Sequence, residues 1–183
     1  QRMMGAAARS GASRVRLADT VGVASPGGIQ NMCQLACQSA DSHPVILGIH
    51  THNDFGLGLA DALAGIRGGA TLIDGSVNGL GERCGNAPLA SVQVILKDMF
   101  EAKTNIKEDR LNDISRLVEG YSGIALAPNT PVVGDNVFTQ VAGVHADGDN
   151  KDKLYCNDLV PERFGRHREY ALGKNSGKAN IVQ

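Results

Sequence analysis

The sequence has 183 residues, enough for one sizeable globular domain or for one domain with a small appendage. Its 18 basic and 19 acidic side chains give a net charge of -1, which excludes a polyelectrolyte tail and gives no indication of nucleic-acid binding. No apolar run approaches the roughly 18–20 residues that span a bilayer, so we expect no membrane insertion. The 4 cysteines are too far apart for a paired metal site and favour buried thiols in a reducing cytoplasm.

Apolar runs of strand length alternate with helical segments over the first hundred or so residues. The spacing of apolar side chains predicts helices over 2–12, 29–40, 57–68 and 89–102, and strands over 14–20, 45–50 and 71–77. Such an alternation is typical of an α/β fold whose parallel sheet is covered on both faces. Polar clusters follow all three strands, and ligands of such folds bind at the C-terminal ends of the strands. We therefore expect a site there.

The character of the sequence changes after about residue 104. An amphipathic helix is predicted over 106–121, followed by a proline-containing linker at 127–131. The polar, glycine-rich remainder predicts a small helical subdomain with long loops. We accordingly divide the chain into three segments: 1–104, 105–131 and 132–183.

His50 and His52 carry the first candidate chemistry. Residues i and i+2 of a strand point to the same face, so two imidazoles at a strand end can bind one divalent ion. Imidazoles alone suit zinc, copper or nickel, whereas a set that includes carboxylate and water suits manganese, magnesium or zinc. Because two protein ligands are too few for a catalytic ion, Asn86 is a candidate third ligand. A carboxylate from outside this sequence would be a better one.

The loop 78–86 spaces four polar side chains with three glycines. Glycines let backbone amides approach an anion or a bulky cofactor closely. The spacing of these glycines matches neither common type of phosphate loop, and no Lys-Ser or Lys-Thr pair follows. The alternative is a tight turn in which the glycines serve the backbone alone.

Several segments, in this order, resemble motifs of the 2-isopropylmalate synthase and homocitrate synthase family, which are TIM-barrel enzymes of metal-dependent Claisen-type condensation. The first three are Leu17-Ala-Asp-Thr-Val-Gly22, Gly48-Ile-His-Thr-His-Asn-Asp54 and Asn78-Gly-Leu-Gly-Glu-Arg-Cys-Gly-Asn86. Two later ones, which resemble the family's downstream subdomain, are Ala142-Gly-Val-His-Ala-Asp-Gly148 and Leu172-Gly-Lys-Asn-Ser-Gly-Lys178. The resemblance implies strands six to eight of a (β/α)8 barrel followed by a helical subdomain. On this interpretation strands one to five, with the Arg-Asp pair of the first strand, lie outside the sequence.

The resemblance implies an acyltransferase that condenses acetyl-CoA with a 2-oxo acid in the presence of a divalent metal, Mn, Mg or Zn. The favoured 2-oxo acid is 3-methyl-2-oxobutanoate, which would give 2-isopropylmalate for leucine biosynthesis. Citramalate synthase and homocitrate synthase remain alternatives, as does a non-catalytic dimerising fragment. The resemblance also implies a cytoplasmic homodimer.

Site residues follow from the matched motifs. The metal ligands would be His50, His52 and Asn86, and the substrate-binding residues would be Thr20, Asn78, Gly81, Glu82 and Arg83, with Thr20 donating to the 2-oxo acid carboxylate. The acid–base pair would be His145 and Tyr155, beyond the linker and so able to reach a partner's active site. Lys153 stands where some relatives have an Asn that supports this pair. The charged stretch 161–169 is expected to be a solvated surface turn, with arginines able to contact coenzyme A phosphates.

Overall fold

The computed structural model describes residues 2–40, 43–152 and 154–182. The chain divides into two compact units, Gln1–Val92 and Gln93–Gln183. The sequence places its change of character near residue 104, whereas this division falls inside a helix that runs across the boundary. None of the helices in the described part of the chain is both long and apolar enough to cross a membrane.

The first unit is built on three parallel strands. Its strands β1, β2 and β3 are Arg14–Asp19, Ile46–Thr51 and Leu72–Asp74, and its helices α1, α2, α3 and the start of α4 are Arg2–Arg9, Pro26–Ser39, Gly58–Arg67 and Leu89–Phe100. The strand order is β1-β2-β3, and Ile49 in the centre lies opposite Leu17 on one side and Ile73 on the other. The α/β class predicted from the sequence is confirmed.

One face of this sheet packs on helices. Ile29 and Cys33 of α2, together with Ala64 of α3, form a core with Leu47 and Ile49 of β2. The helix α3 can approach the central strand closely because it carries a glycine there. A Cβ at Gly65 would lie 3.0 Å from the side chain of Ile49. The apolar side chains of β2 thus pack against the helices α2 and α3, as is typical of a strand in a parallel sheet.

The opposite face of the sheet is open. Arg14, Arg16 and Ala18, which alternate with the packed residues of β1, are all exposed. A cavity of about 310 Å³ lies on this face and is lined in part by Gly48 and Leu72. The prediction of a sheet covered on both faces is therefore wrong for the described residues.

Several element boundaries differ from the sequence prediction, among them the start of the helix predicted over 106–121, which lies at Leu111, and two of them have a clear physical reason. Helix α2 begins at Pro26 rather than at residue 29, because Pro fits the first helical turn and the Ser25 hydroxyl accepts a hydrogen bond from the Gly28 amide at 3.3 Å. Strand β3 ends at Asp74 rather than at residue 77. At Gly75 the chain runs so close to its neighbour that a Cβ would lie 3.0 Å from the Ala87 carbonyl oxygen.

The second unit contains short helices and one short β pairing. Its further elements are α5 at Leu111–Ser122, β4 at Thr139–Gln140, α6 at Gly143–Asp149, β5 at Glu169–Tyr170 and α7 at Lys178–Val182. The strands β4 and β5 pair in parallel. The predicted helical subdomain with long loops omits this pairing, because a strand of two residues leaves no periodicity in the sequence.

Arg163 is held in an ionic network within the second unit. Its guanidinium donates to both carboxylate oxygens of Asp98, at 2.9 and 3.0 Å, and to both of Glu108, at 2.9 and 3.1 Å. Lys97 also donates to Glu108, at 2.7 Å. The pKa of Arg163 is raised, chiefly by hydrogen bonds to Glu108 and then to Asp98. Since only 19% of its side chain is exposed, the expectation of a solvated surface turn is wrong for this arginine.

Candidate metal and substrate site

The structure brings the two predicted histidine ligands together at the C-terminal end of β2. The Nε2 atoms of His50 and His52 are 3.3 Å apart, and the rings meet edge to face with centroids 5.1 Å apart. His50 and Asp74 are the last pair of residues in the pairing of β2 with β3, and the Asp74 carboxylate lies 3.7 Å from the His50 Nδ1. The i, i+2 spacing thus places both rings on one side of the strand, as the sequence predicts.

The donor atoms suit a divalent ion. Two nitrogens that share one ion, each bonded at about 2.1 Å, lie roughly 3.0–3.4 Å apart in tetrahedral or octahedral geometry. Burial first, and then the charge of His52, lowers the pKa of His50 and so favours the neutral imidazole that binds metals. Among the described residues, no cluster of three His, Cys, Asp or Glu side chains could hold an ion, so a further ligand of another kind or from elsewhere is required.

Asn86 is the nearby candidate for that ligand. Its Nδ2 lies 3.4 Å from the His50 Nε2 and donates to the Thr51 carbonyl oxygen at 3.0 Å. The side chain is 9% exposed. Glycine 81 leaves room for it, since a Cβ at Gly81 would overlap the Asn86 Oδ1. In this orientation the amide nitrogen faces the histidines, and rotation of the carboxamide would turn its oxygen toward them.

Backbone hydrogen bonds attach the glycine-containing loop to the end of β2. The Asn53 amide donates to the Gly85 carbonyl at 2.9 Å, the Asn86 amide donates to the Gly79 carbonyl at 3.0 Å, and His52 and Asn86 form an isolated β-bridge. A Cβ at Gly85 would overlap the Gly79 oxygen, and Gly85 has a φ of 83°. The glycines therefore permit the close backbone contacts of this loop, and these contacts place Asn86 beside the histidines.

The predicted substrate-binding residues occupy the loops that follow β1 and β3. Thr20 is exposed directly after β1, and Gly81, Glu82 and Arg83 are exposed in the loop after β3. Asn78 is half-buried and adopts the left-handed region with a φ of 58°. These loops share one edge of the sheet with the histidines, so the three motifs lie at the same end of the first unit.

The second unit brings His145 and Tyr155 together. Their rings lie 5.2 Å apart between centroids and are tilted by 48°; both residues are exposed. Gly148 permits this arrangement, because a Cβ there would overlap the Tyr155 ring. Lys153, which stands at the position of the supporting Asn of some relatives, lies outside the described residues.

Two carboxylates of the first unit received no specific role from the sequence, although Asp54 stands in the histidine motif. Asp54, in the histidine motif, accepts hydrogen bonds from Arg83, and this pairing was signalled only by opposite charges in neighbouring strand-end loops. Asp61, in the first turn of α3, is 1% exposed, and burial followed by the charge of Asp19 raises its pKa to about 6. Asp61 stands among apolar residues of the predicted helix, and nothing in that pattern indicates that its carboxyl group is buried.

Comparison with known proteins identifies the family. Residues 1–118 match the HMGL-like family model. The chain belongs to the HMGL-like family. The resemblance indicated by the strand-end motifs is thereby confirmed.

Curated relatives of this HMGL-like chain carry the names of several condensing enzymes. It is 40% identical over 172 residues to a protein of Methanopyrus kandleri assigned as an (R)-citramalate synthase, covering 94% of this chain and 34% of the relative. It is 38% identical over 176 residues to a second protein of the same organism, which is named as a 2-isopropylmalate synthase; the match covers 96% of this chain and 35% of the relative. A homocitrate synthase of Saccharolobus islandicus is 43% identical over 169 residues, covering 92% of this chain and 36% of the relative. The HMGL-like chain thus spans about a third of the length of these relatives.

Solved structures resemble the HMGL-like chain over two thirds of its length. The HMG-CoA lyase of Bacillus subtilis aligns with a TM-score of 0.59 at 28% identity, covering 68% of this chain and 43% of the lyase. An HMG-CoA lyase of Acinetobacter baumannii, solved with coenzyme A and 3-methylmalate, aligns with a TM-score of 0.58 at 26% identity, covering 68% and 42%.

Proposed function

We propose that this chain forms part of an acyltransferase that condenses acetyl-CoA with a 2-oxo acid. The observation that carries the proposal is the convergence of the His50 and His52 Nε2 atoms at the end of a parallel strand in an HMGL-like chain. His50 and His52, with Asn86 as a further ligand, would hold Mn²⁺, Mg²⁺ or Zn²⁺. Bound there, the ion would act as a Lewis acid toward the keto group of the 2-oxo acid.

The chain's own side chains would bind the substrate and move protons. The Thr20 hydroxyl would donate a hydrogen bond to the 2-oxo acid carboxylate, and the loop with Asn78, Gly81, Glu82 and Arg83 would border the same substrate. His145 and Tyr155 would serve acid–base chemistry, since an imidazole can both accept and donate a proton and a phenol can support it. We place the enzyme in the cytoplasm as a homodimer.

We further propose that β1, β2 and β3 correspond to strands six, seven and eight of a (β/α)8 barrel. The support is their parallel order, the helix layer on one face and the open face on the other. Barrel strands point alternate side chains toward a shared interior. On this proposal residues 1–104 belong to the barrel, 105–131 join it to the next part, and 132–183 begin a downstream subdomain.

The first substrate to test is 3-methyl-2-oxobutanoate, which would give 2-isopropylmalate. The names of the relatives also support citramalate and homocitrate synthase activity, for which pyruvate and 2-oxoglutarate are the substrates to compare. Release of free thiol from acetyl-CoA by the purified full-length protein that contains this chain, measured with each 2-oxo acid, tests the proposal; residues 1–183 alone, without the other barrel strands, should release none. We expect release with one of the three. Release with none would refute the condensing activity and favour a non-catalytic dimerising module.

The metal assignment has its own test. Titration of the full-length protein that contains this chain with Mn²⁺, followed by the loss of the free-ion EPR signal, should show one site that His52→Ala weakens by more than about tenfold. His43→Ala is the matched control, because His43 is exposed and lies before β2 rather than at its C-terminal end. Equal Mn²⁺ affinity in His52→Ala and the unaltered protein would exclude His52 as a ligand.

A further inference from the structure

Arg83 uses its guanidinium to join two other loops. Its Nε and Nη2 donate to the two carboxylate oxygens of Asp54, at 2.7 and 3.0 Å, and its Nη2 also donates to the Thr20 carbonyl oxygen at 3.0 Å. Arg83 follows β3, Asp54 follows β2 and Thr20 follows β1. One side chain therefore connects the loops after all three strands.

Asp54 lies between Arg83 and the loop after β1. Gly22, in the loop after β1, has a φ of 65°, and a Cβ there would overlap the Asp54 carboxylate. The loop after β1 thus packs directly against the carboxylate that Arg83 binds. A planar guanidinium that binds both oxygens of a carboxylate fixes orientation as well as distance.

The backbone of Arg83 indicates that the arrangement is specific. Arg83 has a φ of 55°, in the left-handed region that residues other than Gly, Asn and Asp seldom adopt. Such a conformation persists where surrounding contacts stabilise it, and the hydrogen bonds to Asp54 and Thr20 are contacts of this kind. Three donated hydrogen bonds occupy Nε and Nη2, so the edge of the guanidinium that binds a carboxylate at two points is already taken by Asp54.

We propose that Arg83 is a positioning residue, which holds the Thr20 loop and the His52–Asp54 segment in one arrangement and acts on the substrate through them. The sequence expectation places Arg83 on the substrate itself. The contacts favour the indirect role. The consequence for catalysis rests on the proposed function, but the consequence for loop order does not.

Amide hydrogen exchange tests the positioning role without any assay of activity. The Val23 and Ala24 amides donate to the Asp19 carboxylate at 3.2 and 3.1 Å and report on order in the loop after β1. We expect Arg83→Ala to accelerate their exchange at least threefold, roughly the effect of losing an exposed ion pair with its hydrogen bonds. Arg14→Ala, which removes an exposed arginine from the other end of β1, is the control and should leave exchange unchanged.

Paired variants separate positioning from direct substrate contact. If Arg83 positions the loops together with Asp54, then Arg83→Ala and Asp54→Ala each accelerate exchange, and the double variant accelerates it by less than the product of the two single effects. Arg83→Lys, which lacks the planar fork, does not restore the slow rate. In active protein the same three variants should lower kcat to a similar extent. Unchanged exchange in Arg83→Ala would overturn the proposal, as would a KM for the 2-oxo acid that rises in Arg83→Ala and falls in Asp54→Ala. Absence of all thiol release would refute the proposed function alone, because the exchange result stands independently.

Discussion

Asp61→Asn should make the first unit more stable at neutral pH. Asp61 lies in the first turn of α3 and is 1% exposed, and its Oδ1 has no hydrogen-bond partner among the described residues. Burial, and then the charge of Asp19, raises the pKa of Asp61 from 3.8 to about 6. The folded protein therefore carries a carboxyl group that ionises at a higher pH than an exposed aspartate does.

The sign and size of the effect follow from linkage. Because the folded-state pKa is raised, the folded protein binds the Asp61 proton more tightly than the unfolded chain does. The stability this gives is fully present below about pH 4 and is lost as the pH rises through about 6. At about 1.4 kcal/mol per pKa unit, the loss amounts to about 3 kcal/mol at pH 7 to 8. An asparagine does not ionise and avoids this loss.

Urea unfolding followed by circular dichroism at pH 4 and at pH 7.5 measures the effect. Because the unfolded aspartate is already partly ionised at pH 4, the difference in unfolding free energy between Asp61→Asn and the unaltered protein should shift by about 2.5 kcal/mol in favour of the variant between the two pH values. Any packing cost of the amide is the same at both and cancels. Asp113→Asn is a matched control, since Asp113 also lies in the first turn of a helix but is 67% exposed. A difference for Asp61→Asn that does not change with pH would refute the reasoning.

Two glycine substitutions test the close approaches in the two units. Gly81→Ala should displace the Asn86 carboxamide and weaken Mn²⁺ binding roughly tenfold. Gly27→Ala is the control and should leave Mn²⁺ binding unchanged, because a Cβ at Gly27 has open space. Equal Mn²⁺ affinities of the two variants and the unaltered protein would contradict this prediction. Gly148→Ala should push the Tyr155 ring from the neighbouring imidazole and abolish the NMR cross-relaxation between the two rings; a retained cross-peak would show that the pair does not depend on this glycine.

Strong local periodicity made most of the first unit predictable from its sequence. The run before His50 is apolar and of strand length, and alternation of strands with helices leaves few arrangements other than a parallel layer. The i, i+2 spacing then determined that His50 and His52 face the same way, and the structure places their Nε2 atoms 3.3 Å apart. Each of these inferences depends only on residues that are close together in the sequence, so the sequence alone is enough to make it.

Long-range and very short features could not be predicted. The contact between Arg83 and Asp54 joins residues 29 apart, and nothing local distinguishes it from an exposed arginine that awaits a ligand. The same holds for Arg163, whose partner Asp98 is 65 residues away. Parallel pairing of β4 with β5 involves two residues in each strand, too few for an alternating pattern.

The attachment of the 78–86 loop to β2 divides that loop into a fixed frame and variable positions. Main-chain groups of Gly79, Gly85 and Asn86 hold the frame, so its geometry does not depend on most of the side chains it carries. Cys84, exposed between these anchor points, can be exchanged without removing any of those hydrogen bonds. A chain built in this way can alter the surface of this loop, one side chain at a time, while the imidazoles and the carboxamide keep their spacing.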